Sequence, residues 1–469
     1  MGRFKLTNLF AKLLKINHHD SSNNKETGIL RLISFRNLLS GFSAISAATL
    51  ISAPCLALPK STSLLINESP KEVIDQVWQI VYRDYLDSSG SYDSQKWLTL
   101  RKSLLGANYI EADEAYEAIR GMLASLNDPY TRFLDPKEFN EMRIDTSGEL
   151  TGVGIQLSLN KETNRLIVIS PIEGTPAFKA GVKAKDVIVS IDDKSTQGMS
   201  IENAVKLIRG RKGTQVNLGI SRDNKLIKIQ LVRDKIEIRA VDSQLNQPEP
   251  DIKVGYIRLK QFNANSVREM RNAINYLEGQ VALGYVLDLR SNPGGLLEAS
   301  IEIGRLWLNE GIIVSTETRD GIRDIRRANG RALTTRPVVV LVDSGSASAS
   351  EILSGAIQDN KRGVLLGNKT FGKGLVQSVR ALSDGSGLTV TIAKYLTPNG
   401  RDIHKHGIEP DIEFKMTDED LSNFKREDLA TFKDTQYIAG ESLLIKLIRK
   451  SHLNTTYEPK KANLKYALN

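Results

Sequence analysis

The sequence predicts a multidomain α/β protein with a helical N-terminal region, a small β-rich module set into the chain, and a layered α/β core. Three observations carry that expectation. Apolar residues recur at helical spacing between residues 70 and 142, short β-branched runs separated by turns fill 144–235, and strand and helix signals alternate from residue 253 onward. With 469 residues, 40% hydrophobic and 25% charged, the chain is long enough for two or three cores.

Residues 1–57 read as a leader. A basic, polar stretch with Arg31 and Arg36 precedes the apolar, small-residue run LLSGFSAISAATLISAPCLA over 38–57, which ends in the small-x-small pattern Cys55-Leu56-Ala57. This is an export signal removed after about Ala57, with an uncleaved anchor as the alternative. Cys55 is the only cysteine and leaves with the leader, so the mature chain has no disulfide, as suits a periplasm or a thylakoid lumen. Part of the net charge of +9 lies in the leader, which weakens any argument for an acidic partner. Peripheral membrane association through an uncleaved leader stays open, whereas nucleic acid is not indicated without an aromatic-rich basic motif.

The region 58–143 is helical and polar. Val73, Val77, Ile80 and Val81 share one helical face, and Ala112 to Leu126 form a second amphipathic run. The phrase NDPYTRFLDPKEF over 127–139 reads as a turn and linker, because its Asp and Pro residues punctuate helices.

The module 144–235 has strand-like runs at 155–159, 166–169, 187–191 and 216–220 and a helix at 201–209. Ahead of the first run stands Thr151-Gly152-Val153-Gly154-Ile155. Successive N–H groups at such a turn can form a nest for a carboxylate, and an exposed strand edge accepts a peptide as an added strand. The same turn is also compatible with an ordinary hairpin.

The core spans 236–415, with a strand at 254–259, a helix at 266–277 and a strand at 285–289. Asp288-Leu289-Arg290-Ser291-Asn292-Pro293-Gly294-Gly295 follows and leads to a helix at 296–307. Around residues 338–377 the chain runs as an apolar strand, a turn with Ser344, Ser346, Ser348 and Ser350, a helix, a short apolar run at 364–366 and a lysine between glycines. A small-residue turn between a buried strand and a helix start is where α/β proteins place chemistry, because the helix N-terminus favours a developing anion. Ser348 is the preferred nucleophile, ahead of the apolar set Ile352, Leu353, Ala356 and Ile357, while Ser350 could be a cap.

A serine needs a base. Among the five histidines only His404 and His406 lie where they could reach the core, and Lys373 is the other option if burial keeps its amine neutral. Gly372 and Gly374 let the backbone carry that side chain inward. If a strand runs over 375–379, Gln377 shares the face of Lys373 at period two and could orient it without adding charge. His404 and His406 could in principle bind a metal, but no cysteine or HExxH pattern supports one, and no metal site is expected.

The pairing of SASASEI with FGKGLVQ, with Lys373 25 residues after Ser348, resembles the carboxyl-terminal processing peptidases, also called tail-specific proteases. The phrases at 127–139 and 397–411 are similar to that family as well, and GTPAFKAGVKAKDVIVSID over 174–192 resembles a PDZ domain. The resemblance spans about residues 70–412. It implies a ClpP/crotonase-like α/β protease core with an inserted PDZ domain, and acyl-enzyme hydrolysis by Ser348 as nucleophile, Lys373 as general base and Gln377 supporting the lysine. It further implies oxyanion amides at Gly294, Gly295 and Ala349, and recognition of a peptide C-terminus by Gly152, Val153, Gly154 and Ile155. Some members also need an aspartate eleven residues after the serine, here Asp359. That residue returns to the serine's helical face but ~16 Å along the axis, which makes it a structural support.

No cofactor is required by such chemistry. The implied partners are proteins or peptides with accessible C-terminal tails, among them a photosystem II reaction-centre precursor if the source is photosynthetic. A non-catalytic PDZ-containing binding or adaptor protein on the same scaffold is the alternative, against which intact Ser348, Lys373 and Gln377 argue. Residues 416–469 are polar, with one amphipathic patch at 443–448, and read as a peripheral C-terminal extension.

Overall fold

The computed structural model describes residues 69–160, 163–417, 420 and 424–456. The leader, with its cleavage site and cysteine, lies outside the described residues.

The core is a six-stranded sheet in the order Val241–Glu249, Ile252–Leu259, Gly284–Asp288, Val338–Val342, Val364–Gly367 and Ile412–Glu413, antiparallel at the first pair and parallel thereafter. Strict alternation along these strands divides two hydrophobic layers. Ile257, Leu287, Val338, Val340 and Leu365 face the helices Ser266–Gly279, Leu297–Trp307 and Ala349–Asp359. Val254, Tyr256, Val286, Val339 and Leu341 face the opposite way.

That second face is covered by the C-terminal helix Thr435–Thr456 through Tyr437, Leu444 and Ile448. The segment read as a peripheral extension therefore supplies one whole layer of the core. The cause is the parallel sheet, which is apolar on both faces and needs a cover on each. An ion cluster pins the same layer. Arg290 donates to both oxygens of Asp288, at 2.9 and 2.7 Å, and to both oxygens of Asp434, at 2.8 and 2.7 Å. All three side chains are buried, and the Tyr256 hydroxyl adds a 2.7 Å bond to Asp288. Burial alone would raise the Asp288 carboxyl; the Arg290 guanidinium overrides it and holds the group below the usual carboxylate range.

A second sheet packs over the helices. It comprises Arg132–Leu134, Gly387–Leu396, Ile312–Thr318 and Arg323–Arg327, with Leu375–Ala381 paired along the other edge of Gly387–Leu396. Its outer face carries the N-terminal helices Pro70–Asp84, Ser94–Gly106 and Ala112–Ala124, whose Ile74, Val77 and Ile119 meet Phe133, Leu388 and Val390. Residues 127–139, read as a linker, instead form an edge strand and the start of the helix Pro136–Ser147. Asp135 caps that helix with Glu138 in a reciprocal box, and Pro136 stands at its first turn, where it costs no hydrogen bond.

The β-rich module has its own core of Leu166, Val168, Ile188, Val216 and Ile220. Its sheet runs in the order Ile155–Leu159, Leu166–Pro171, Val187–Ile191, Gln215–Arg222 and Lys225–Val232, so Ile155–Leu159 is an edge strand. The chain enters and leaves the module through one antiparallel pair, Glu149–Gly152 with Asp234–Glu237.

Replacing Arg290 by Met leaves two buried carboxylates without the guanidinium that neutralises both. The expected loss is about 3–5 kcal/mol of stability, checked as a lowered urea midpoint against the unmodified chain, whereas the exposed pair Arg83 and Asp84 should be nearly neutral when removed.

Candidate active site

Val338–Val342 is buried along its whole length and delivers the chain to the serine-rich turn. The four serines there have separate fates. The Ser346 hydroxyl donates to the Leu289 carbonyl at 2.8 Å and the Ser350 hydroxyl to the Asn292 carbonyl at 2.9 Å, both in full burial. These bonds tie the turn to the neighbouring loop 289–295. Ser344 is exposed at the far side of the sheet edge. Ser348 lines a cleft of about 560 Å³ between the core and the second sheet.

Ser348 adopts φ 55° and ψ −113°, rare for a residue with a Cβ, immediately before the helix Ala349–Asp359. Strain of this kind persists only where surroundings fix it. Here Glu351, fully buried, accepts from the Ser348 amide at 2.8 Å and the Lys373 amide at 2.9 Å through Oε2, and from the Thr370 hydroxyl at 2.6 Å and the Gly372 amide at 2.7 Å through Oε1. One carboxylate thus holds the serine and lysine loops together. From the other side, the Tyr395 hydroxyl reaches the carbonyl oxygens of Ser348 and Lys373, at 3.1 and 2.5 Å.

Lys373 lines the same cleft as Ser348. Its Nζ sits 4.8 Å from the centroid of the Tyr130 ring. Burial pushes the amine below the usual lysine range and the nearby Arg132 guanidinium adds to the effect, against the opposing pull of Asp128 and Glu351. A Cβ on Gly374 would stand 2.7 Å from the His404 amide nitrogen, which explains the glycine.

Gln377 lines the cleft, but its amide donates to the Thr391 hydroxyl at 3.4 Å, and no bond to Lys373 is present among the described residues. Gln377 thus faces the same cleft as Lys373, while a β-bulge falls between Val376 and Gln377 and its amide is turned to Thr391. His404 packs edge-on against Tyr130 at 6.3 Å, with Nδ1 buried and unpartnered; burial, then Lys405, lowers its pKa. Neither His404 nor His406 hydrogen-bonds Ser348.

The glycines divide their work. The Gly294 amide donates to Asn292 Oδ1 at 2.9 Å, so it is not free for an oxyanion. A Cβ on Gly294 would meet the Ala347 oxygen at 2.7 Å and Ser348 Cβ at 2.9 Å, so its requirement is steric. The amides of Gly295 and Ala349 have no acceptor among the described residues, and both residues line the cleft beside Ser348. Asp359 lies at the far end of the helix, where it accepts from the Asn399 amide at 2.9 Å and from Arg401 at 2.5 Å.

In the β-rich module, Gly154 has φ 78° and no room for a Cβ against Thr175. The carbonyls of Val153 and Gly154 accept from Ala177 and Ile172, at 2.9 and 2.8 Å, while their amides have no acceptor among the described residues. Gly152 ends the entry strand and Ile155 opens the edge strand, which meets the helix Ile201–Ile208.

This geometry can be set beside known proteins. Residues 253–414 match the model of peptidase family S41, and residues 152–232 that of the PDZ domain. A carboxyl-terminal-processing protease of Synechocystis sp. is 42% identical over 412 residues, 87% of this chain and 95% of that protein. This chain belongs to the carboxyl-terminal-processing protease family. The chloroplastic carboxyl-terminal-processing peptidase 3 of Arabidopsis thaliana is 36% identical, over 81% of this chain and 77% of that protein. A solved structure titled photosystem II D1 C-terminal processing protease is 38% identical and covers 74% of this chain and 93% of its own, with a TM-score of 0.48. The chain is therefore a serine-type peptidase whose α/β core carries an inserted PDZ domain.

Sequence reasoning missed Glu351, Tyr130, Arg132 and Tyr395. A signal for Glu351 was present, since Ser348-x-x-Glu351 has capping-box spacing. Glu351→Gln keeps the size but removes the acceptors for two of the four donors. Catalysis should fall about 10²-fold, since small misplacements of reacting groups cost that much. Single-turnover kinetics on a folded variant checks it; an unchanged rate would remove the clamp from the account.

Proposed function

We propose that the chain is an exported endopeptidase that cleaves proteins near their C-terminal ends, with Ser348 as nucleophile and Lys373 as general base. The observation that carries this reading is the shared Glu351 clamp, which fixes both backbone amides at the mouth of one cleft. Desolvation, with the nearby Arg132 guanidinium, shifts Lys373 toward its neutral form. The amine takes the Ser348 proton, Oγ attacks the peptide carbonyl, and the free amides of Gly295 and Ala349 hold the oxyanion. Protonated Lys373 then gives its proton to the leaving amine, and water hydrolyses the acyl-enzyme. Gly294 supplies space in this scheme, Gln377 lines the cleft wall with its amide turned to Thr391, and Asp359 braces the helix.

Two strand edges suit an extended substrate. Leu375–Ala381 pairs on one side only, and its Leu375, Val376 and Val379 line the cleft. Ile155–Leu159 is the edge beside the free amides of Val153 and Gly154, which fit a terminal carboxylate. The reading keeps the domain limits 58–143, 144–235 and 236–415 and adds the helix Thr435–Thr456 to the core. Cyanobacterial and chloroplastic relatives favour a periplasmic or thylakoid-lumen enzyme and make an extended photosystem II reaction-centre precursor the first natural substrate to test.

Cleavage of an unfolded test protein with an apolar tail should be lost in Ser348→Ala and Lys373→Ala and retained when His404 and His406 become alanine; activity in all variants would overturn the serine/lysine assignment. Deleting residues 148–232 should erase the preference for a free over an amidated C-terminus.

The rate should rise with pH through a limb set by Lys373, below the ordinary lysine range. Groups facing that amine are Asp128, Tyr130 and Arg132 from the preceding loop and strand, Glu351 from the helix, Tyr395 from the sheet, and His404 behind Tyr130. Removing a cation eases protonation, so Arg132→Gln should move the limb to higher pH. A limb that stays in place would show that burial alone sets it.

A further inference from the structure

Among the described residues, the cleft that holds Ser348 is lined by two charged side chains, Lys373 and Arg132. No carboxylate lines it. Arg132 is exposed, and its guanidinium has no ion pair and no hydrogen bond among the described residues. Other described arginines, Arg143, Arg165 and Arg271 among them, also have no side-chain partner, but Arg132 is the arginine that lines this cleft. An arginine presents a rigid donor fork suited to a carboxylate, and one left without a partner in a half-enclosed cleft has donors available to a ligand.

The register of the second sheet says where that fork stands. Arg132 pairs with Thr389, and Thr389 pairs with Val379. Residues opposite one another across strands share a sheet face, and all three of these line the cleft. The next residue, Phe133, points the other way into the N-terminal helical core, which fixes the orientation of Arg132 by alternation. The open edge of Leu375–Ala381 runs from beside Lys373 to this row. Val379 is four residues beyond Leu375, or about 13 Å along an extended strand, and a long arginine side chain spans part of that interval.

We propose that Arg132 is a specificity-determining residue that binds a carboxylate on the substrate, an Asp or Glu side chain two to four residues from the scissile bond. The inference rests on the protease reading and deepens it. The cleft's remaining lining, with Met142, Leu296, Ile352 and Val379, takes apolar side chains around that one charge. The preferred substrate segment is thus apolar with a single acidic residue, held by the N-terminal region and not by the PDZ domain.

The test uses apolar peptides amidated at the C-terminus, so that no terminal carboxylate is offered, each carrying one Glu or one Gln at a position from four before to four after the scissile bond. Cleavage is followed at a pH above the Lys373 limb, and binding of the same peptides is followed by fluorescence anisotropy in the full chain bearing Ser348→Ala. At one position two to four residues from the bond, Glu should be favoured over Gln roughly tenfold in both kcat/KM and affinity. Arg132→Gln should bring that ratio to about one, and Arg132→Lys should keep part of it. A ratio near one at every position in the unmodified chain, or a preference that survives Arg132→Gln, overturns the proposal. Because the binding arm needs no turnover, absence of cleavage with a Glu preference intact would count against the protease reading alone.

Discussion

The Glu351 carboxylate accepts four hydrogen bonds in complete burial, and the geometry of the cleft depends on it. Its donors come from two loops that also meet through the Phe371 amide on the Ser346 carbonyl, at 3.1 Å, and through the Tyr395 hydroxyl. One follows a parallel strand of the core sheet; the other leads into the second sheet. A buried acceptor with unfilled capacity is costly, and so is a buried amide without a partner, so the loops are stable only together. The unfavourable backbone of Ser348 is offset by the same bonds. Together with the Tyr395 hydroxyl, this carboxylate converts the packing of two sheets into a fixed relation between the serine and lysine loops.

The second constraint is electrostatic. A lysine can act as a base only if its neutral form is populated, and this fold shifts Lys373 in that direction by burying it beside an aromatic ring from a distant part of the chain. Tyr130 supplies a face that attracts a cation, yet the desolvation that comes with it disfavours the charge more strongly. Arg132 tilts the balance further toward the neutral amine. The N-terminal helices thus do more than cover the second sheet: they set where Tyr130 and Arg132 stand.

Most of the architecture was legible because its signals are local. The strand Val338–Val342, the serine turn, the glycine-bracketed lysine and the strands of the β-rich module all declare themselves in short windows of sequence. What escaped was long-range. Arg132 pairs with Thr389, 257 residues away, and nothing in NDPYTRF announces a partner at that distance. The C-terminal helix was underrated because its amphipathic patch is short, and the apolar face it covers belongs to strands already assigned to the core. Gln377 reaches the cleft beside Lys373, but the hydrogen bond of its amide to Thr391, across a bulged pair, has no local signal. Gly294 was given an amide role that its own neighbour Asn292 already fills.

The insertion point of the PDZ domain follows from the same wiring. The helix Pro136–Ser147 carries Met142 and Thr146 into the cleft wall and ends at Gly148 in a left-handed turn, φ 67°, with no room for a side chain against Asn263. The Gly148 carbonyl accepts from Ile238 at the module's exit, and the Thr146 carbonyl accepts from Ala264 of the core, at 2.8 and 3.0 Å. Entry strand, exit strand and cleft wall therefore converge within a few residues. From Thr146 to Ile155 is nine residues of helix end, paired strand and turn, with little slack at either end. The module is thus inserted at a point whose entry and exit segments are hydrogen-bonded within a few residues of the cleft wall.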